Sequence, residues 1–168
     1  MKNLEAKFPL ANHAAAEARA IAIGYTRRAI LNQRDTFFRV PNGKLKLREE
    51  NGSAVLIHYR RAQSRPLMLS SYEIVPLADP AATLRILTDA LGTLATVEKV
   101  RTLLLRENLR LHLDQVANLG NYGELEAVLT DPADPDRSRI AMDETLHALQ
   151  VATADLIEIS YFEMLSKP

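Results

Sequence analysis

Residues 43–49 read G-K-L-K-L-R-E, a strict alternation in which Lys44, Lys46 and Arg48 share one parity and Leu45 and Leu47 the other. Successive side chains of a strand point to opposite faces, so period-two alternation ordinarily means apolar inside and charge in water. The same device recurs along the chain. Glu5 shares parity with Lys7, Lys99 with Arg101, Arg110 with His112 and Asp114, and Glu124 with Glu126. The opposite parities carry Leu4, Ala6 and Phe8, then Leu109, Leu111 and Leu113, then Leu125. Two arrangements satisfy the pattern. Either an open sheet solvates its charged face, or the strands close into a barrel with helices outside, and every charged face turns toward the lumen. A lumen holding about eight cations requires an anion to fill it, because buried charge is costly unless paired. The acids on those faces are fewer than the cations. They supply oxygen ligands for a hard divalent ion, and a phosphate chain bound with metal satisfies both demands.

The 168 residues carry 21 Lys plus Arg against 21 Asp plus Glu, so no global field selects nucleic acid or anionic lipid, and electrostatic function has to be local. A chain of this length fits one domain over 1–168 with a proper core. The absence of cysteine excludes disulfides, thiolate chemistry and Cys-ligated zinc. The start, M-K-N-L-E-A-K-F, has no apolar h-region, and no apolar run approaches the roughly 20 residues of a membrane helix, which predicts a soluble cytoplasmic protein.

Around the opening stretch, residues 3–10 read as a strand. Asn12 caps a helix ended by Gly24, and strands then run from 35 to 77 through turns at P-N-G and N-G, with a loop at A-Q-S-R-P. Asp79-Pro80 opens a helix that stops at Gly92. Three further strands follow to about Leu129, turning at R-E-N and N-L-G-N-Y-G. D-P-A-D-P-D reads as a loop, 137–150 as a helix, and S-Y-F-E-M-L as a short C-terminal helix. About eight strands with three or four helices predict an α+β fold with a largely antiparallel sheet.

In order along the chain, N-L-E-A-K-F, D-T-F-F-R-V-P-N-G-K-L-K-L-R-E, H-Y-R-R, V-E-K-V-R, L-R-L-H-L-D and L-G-N-Y-G-E-L-E resemble the motifs of the CYTH family, the triphosphate tunnel metalloenzymes that include class IV adenylyl cyclases and thiamine triphosphatases. The resemblance covers most of the chain and implies an eight-stranded antiparallel barrel with the cationic faces inward. By matched position it implies that Glu5, Asp114, Glu124 and Glu126 hold Mg²⁺ or Mn²⁺. It likewise implies that Lys7, Arg39, Lys46, Arg48, Arg61, Lys99, Arg101 and Arg110 bind the phosphates, with Lys7, Arg61, Lys99 and Arg110 closest to the chemistry. Arg61, rather than Arg60, matches the family's Y-x-R. One departure stands out: the first acid of the family's E-x-E-x-K is Asn3 here, which weakens a second metal site.

The activity implied is class IV cyclase-like, ATP to cyclic AMP and pyrophosphate. Hydrolysis of an inorganic, nucleoside or thiamine triphosphate is the alternative, and Asn3 keeps a non-catalytic nucleotide or polyphosphate binder open. The expected partner is a triphosphate-bearing small molecule, not nucleic acid or membrane, and a homodimer stays open. His112 reads as a structural or substrate-orienting hydrogen-bonder, Tyr25, Tyr122 and Tyr161 as packing residues, and the Glu144/His147 pair as incidental to a surface helix.

Overall fold

A computed structural model describes residues 2–62, 67–130 and 134–166. In chain order the elements are β1 (Lys2–Pro9), α1 (His13–Ala22), β2 (Thr26–Phe38), β3 (Lys44–Glu50), β4 (Ser53–Ala62), β5 (Met68–Pro76), α2 (Pro80–Leu91), β6 (Thr93–Arg106), β7 (Leu109–Val116), β8 (Gly120–Leu129), α3 (Asp134–Ala148) and α4 (Tyr161–Leu165), with a single 3-10 turn at Thr153–Asp155. The eight strands close in the order β1-β5-β4-β3-β2-β6-β7-β8, each pair antiparallel. The closed barrel answers the opening alternation: the charged face of the strands looks inward.

The apolar parities hold the helices. Leu4, Ala6 and Phe8 of β1, Leu109, Leu111 and Leu113 of β7 and Leu125 of β8 form one buried cluster with Ala16 and Ala20 of α1 and Met142 and Leu146 of α3. Phe38 and Leu47 pack under Leu84, Leu87 and Leu91 of α2. Truncating Leu111 to Ala removes a side chain with no solvent exposure and costs about 2–5 kcal/mol. Phe8 needs a particular neighbour. It lies opposite Gly123 in the β1–β8 register, and a Cβ on residue 123 would sit 2.1 Å from the Phe8 ring, so only glycine fits beneath it.

The caps follow the local chemistry. Asn12 accepts a hydrogen bond from the Ala15 N–H at 2.9 Å and Asp79 one from the Ala82 N–H at 2.9 Å, each satisfying an orphan donor of its helix. Asn51 and Gly52, at φ of 46° and 85°, make the tight turn between β3 and β4.

Three boundaries differ from the sequence pattern. β2 begins at Thr26 instead of Asp35: from Ala29 on its residues alternate between a more buried and an exposed face, but the polarity of Ala29-Ile30-Leu31-Asn32 does not follow that alternation, so the sequence pattern does not show it. Its pairing with β6 holds it, from Thr26 opposite Leu105 onward, through a register shift between Arg27 and Ala29. β8 begins at Gly120, so the N-L-G-N-Y-G turn shortens to residues 117–119. α3 begins at Asp134, within D-P-A-D-P-D. Residues 63–66 of the A-Q-S-R-P loop and 131–133 of D-P-A-D-P-D lie outside the described residues. Among those described, no helix is long and apolar enough to cross a membrane.

Candidate active site

The strand register sets the site. Asp35 of β2 lies opposite Arg48 of β3, Arg101 of β6 opposite Asp114 of β7, and Lys7 of β1 opposite Glu124 of β8. Opposite charges on facing strand positions sit within side-chain reach, so these three pairs form across the ladders. Two further pairs face each other in the register with a different outcome. Glu5 stands opposite Glu126, two like charges, and His112 opposite Glu124.

The lumen has two compartments. The inner one, about 40 Å³, is lined by buried residues that include Lys7, Asp35, Lys99, Ser160 and Tyr161. At this end α4 lies against the barrel. The Phe162 ring is 4.6 Å from that of Phe37, Tyr161 donates to Asp114 at 2.9 Å, and Lys44 donates to Glu163 at 2.8 Å. Asp35 receives Lys46 at 2.9 Å, Lys99 at 3.0 Å and Arg48 through two N–H groups at 2.6 and 2.7 Å. Arg101 spans Asp114 and Glu124, with each contact at 2.7 Å. Lys7 is 3.6 Å from Glu124, and its ammonium stands 4.0 Å from the centre of the Tyr161 ring.

The outer compartment, about 280 Å³, opens toward exposed Arg110 and Ile74. One wall carries Asn3, Glu5, His112, Glu124 and Glu126; other strands contribute Leu31, Ile57, Tyr72 and Leu103. His112, Glu124 and Glu126 each offer a ligand atom within 4.8 Å of the others, a group able to hold a divalent ion. Unpartnered buried atoms gather here. Gln33 Oε1, Arg61 Nε and Nη1 and His112 Nδ1 lack hydrogen bonds, and all belong to residues that line this compartment, where Glu5 is ion-paired with Arg61 Nη2 at 3.2 Å. Such orphans carry a desolvation cost that a bound anion and cation relieve. His112 Nδ1 is 3.8 Å from Glu124 and 3.6 Å from Glu126, too far for hydrogen bonds and suited to an intervening ion.

Burial and neighbours push the titrating groups apart. Burial lifts the Glu5 carboxyl, and nearby Glu126 and Glu124 outweigh enough of the Arg61 charge to leave it at about 7. Burial opposes ionisation of Asp35 as well, yet Lys46, Lys99 and Arg48 together hold that carboxyl well below the usual carboxylate range. Glu124 is likewise held low against burial, chiefly by Lys7. Burial, then the adjacent Arg48 charge, bring the Lys46 ammonium down to about 7, and burial lowers Lys7 and Lys99.

Lys7, Lys46, Arg48, Arg61, Lys99, Arg101 and Arg110 all line the lumen, as do Glu5, Glu124 and Glu126. Arg61 points inward while Arg60 is exposed. Two residues fall elsewhere. Arg39 follows the last residue of β2 and is exposed, its side chain near Gly92, because the strand ends one residue too early to turn it inward. Asp114, with no solvent exposure, is engaged by Arg101 and Tyr161, and His112 joins Glu124 and Glu126 in its stead. Asn3 is inward, donating to Glu126 at 3.1 Å and accepting from Tyr72 at 3.3 Å. Tyr25 is a core residue bonded to Thr145, whereas Tyr161 lines the inner compartment. Sequence reasoning passed over Asp35, which carries no signal within its own strand, since its cationic partners come from β3 and β6.

The CYTH domain profile matches residues 1–161. A Methanocaldococcus jannaschii protein named "Putative adenylate cyclase" is 26% identical over 132 residues, 77% of this chain and 75% of that protein. Among solved structures, a Pyrococcus horikoshii protein superposes with a TM-score of 0.85 at 18% identity, covering 96% of this chain and 98% of its own. A Vibrio parahaemolyticus protein titled "putative adenylate cyclase" gives 0.82 at 20% identity, covering 98% of each chain.

Proposed function

This chain belongs to the CYTH domain family, and from that premise we propose that it is a divalent-metal-dependent enzyme acting on a nucleoside triphosphate, converting ATP to cyclic AMP and pyrophosphate. The supporting observation is the separation of charge along the lumen. Lys7 and Lys99 line only the inner compartment and His112 and Glu126 only the outer one, while Lys46, Arg48, Arg61 and Arg101 line both. An inner space of about 40 Å³ has no room for a base or sugar, so a triphosphate enters tail first and its organic group stays outside, beside Leu31, Ile57, Tyr72 and Leu103. The phosphorus nearest the acidic wall is then the one that bears the organic group.

Attack there by the ribose 3'-hydroxyl forms the O3'–Pα bond and breaks the bond from Pα to the bridging oxygen. Pyrophosphate leaves on the inner cations. Such a reaction needs positioning and charge more than covalent help from the protein. His112, Glu124 and Glu126 would hold Mg²⁺ or Mn²⁺, which would supply positive charge to the phosphate oxygens. Glu5, at about 7, is the wall residue suited to receive the hydroxyl proton near neutral pH. Arg61 and Arg110 hold non-bridging oxygens at the mouth.

The test incubates the protein with ATP and Mn²⁺ or Mg²⁺ and resolves the products. Cyclic AMP and pyrophosphate in equal amounts, abolished by chelation, are expected. Orthophosphate with ADP would instead assign hydrolysis, with water as nucleophile. Tight triphosphate binding without product would assign a non-catalytic binder.

A further inference from the structure

We propose that Asp35 is a positioning residue, a permanent anion at the inner end of the lumen that fixes Lys46, Arg48 and Lys99 for a phosphate and keeps triphosphate affinity below what those cations alone would give. This rests on the reading of the lumen as a triphosphate site.

The Asp35 side chain is 2% exposed, and three cations converge on it. Its Oδ2 alone takes Lys46, Lys99 and one Arg48 N–H. Asp35 shares the inner compartment with Glu124 but is not one of the mutually close ligand groups, which are His112, Glu124 and Glu126. Three buried cations without a counter-charge would destabilise the empty fold, because each is taken out of water with nothing to compensate it. One carboxylate offsets much of that. It does so without exhausting the donors, because each lysine ammonium carries three N–H groups and spends one on Asp35. The remaining donors are held in a fixed orientation, which spares a bound phosphate the entropy of ordering two long side chains.

The same carboxylate repels any phosphate that shares its cations. At a separation of about 4 Å, one unit charge weakens the binding of a like charge about five-fold in water and more in a partly dry site. The inner end therefore grips a phosphate tail firmly enough to place it and loosely enough to release it.

The experiment compares wild type with Asp35→Asn, which keeps the shape and one acceptor oxygen and removes the charge. Inorganic triphosphate is titrated calorimetrically in EDTA, and kcat and KM for ATP are measured with Mn²⁺. The variant is expected to bind triphosphate about ten-fold tighter, with a lower KM and a kcat reduced about ten-fold. Asp35→Glu, which restores the charge, is expected to return affinity to near the wild-type value. Should Asp35→Asn fail to fold, the comparison moves to the Lys46→Met background, where two cations remain on the carboxylate. Asp35→Asn/Lys46→Met is expected to bind tighter than Lys46→Met. Unchanged or weaker triphosphate binding on loss of the charge, in either background, overturns the proposal and leaves the function reading intact. Absence of triphosphate binding by wild type overturns both.

Discussion

The two ends of the lumen are built from the same residue types to opposite effect. At the inner end every carboxylate is engaged and cations are in excess: Asp35 with its three cations, Asp114 with Arg101 and Tyr161, Glu124 with Lys7 and Arg101. At the outer end Glu5 faces Glu126 in the register and pairs with Arg61 at 3.2 Å, while Arg61, Gln33 and His112 keep unpartnered atoms. The inner end is preorganised for an anion, and the outer end holds polar groups still to be satisfied. Polar networks stabilise when they are complete and cost when they are not, so the barrel concentrates its stability at the inner end and its unsatisfied groups at the outer one.

That contrast breaks most visibly at Arg101. Arg101→Met leaves Asp114 and Glu124 with an uncompensated buried charge, and urea unfolding is expected to show a loss of about 3–5 kcal/mol. A loss under 1 kcal/mol would mean that the inner network is not a stabilising one.

Glu126→Gln sharpens the comparison from the other end. It removes a ligand from the acidic wall without breaking an inner ion pair. Metal-dependent turnover is expected to fall at least ten- to a hundred-fold while the unfolding midpoint barely moves. Glu124→Gln, which also removes the partner of Lys7 and Arg101, is expected to lose both turnover and stability.

A pH series isolates Glu5. Its carboxyl is raised from 4.5 to about 7 on folding, so ionising it favours the unfolded chain. Its contribution is most favourable below about pH 4.5, declines as pH rises, and levels off above about 7. Wild type measured against Glu5→Gln is expected to lose about 3 kcal/mol across that window. A flat difference would remove the burial and repulsion argued for the outer wall.

The smallest effect is expected at Asn3. Its amide donates to Glu126, and Asn3→Glu replaces that donor with a third carboxylate beside Glu5 and Glu126. Without metal the variant is expected to be about 1 kcal/mol less stable. With Mn²⁺ it is expected to turn over faster and to saturate at lower metal concentration. Unchanged metal dependence would make Asn3 peripheral to the metal.

The inward faces of β1, β3, β7 and β8 were legible in the sequence because each alternates cleanly within its own strand. Asp35 was not. Its neighbours in sequence are Thr36, Phe37 and Phe38, and its cations arrive from β3 and β6, so its importance exists only across ladders. The partners of Asp114 were hidden for the same reason, since Tyr161 lies 47 residues away along the chain. Arg39 shares the parity of Asp35 and Phe37, but alternation reveals a face and not the residue at which a strand stops. Polarity does not follow burial in the first half of β2, where Ile30 is exposed and Gln33 buried, so its alternation is hidden in the sequence and pairing with β6 reveals it.

Among the described residues β1 pairs with β5 from Lys2 to Glu5, and further along the strand the Ile157 N–H donates to the Lys7 carbonyl at 2.7 Å, where residues 153–158 lie against it. The eight strands are complete once Leu129 has been added, yet the seam beside Lys7 and the α4 wall of the inner compartment both come from residues beyond 150. The barrel that carries the cations and the floor that closes their compartment are therefore separate parts of the sequence, and a change confined to the last turn of helix alters the depth of the lumen without touching a strand.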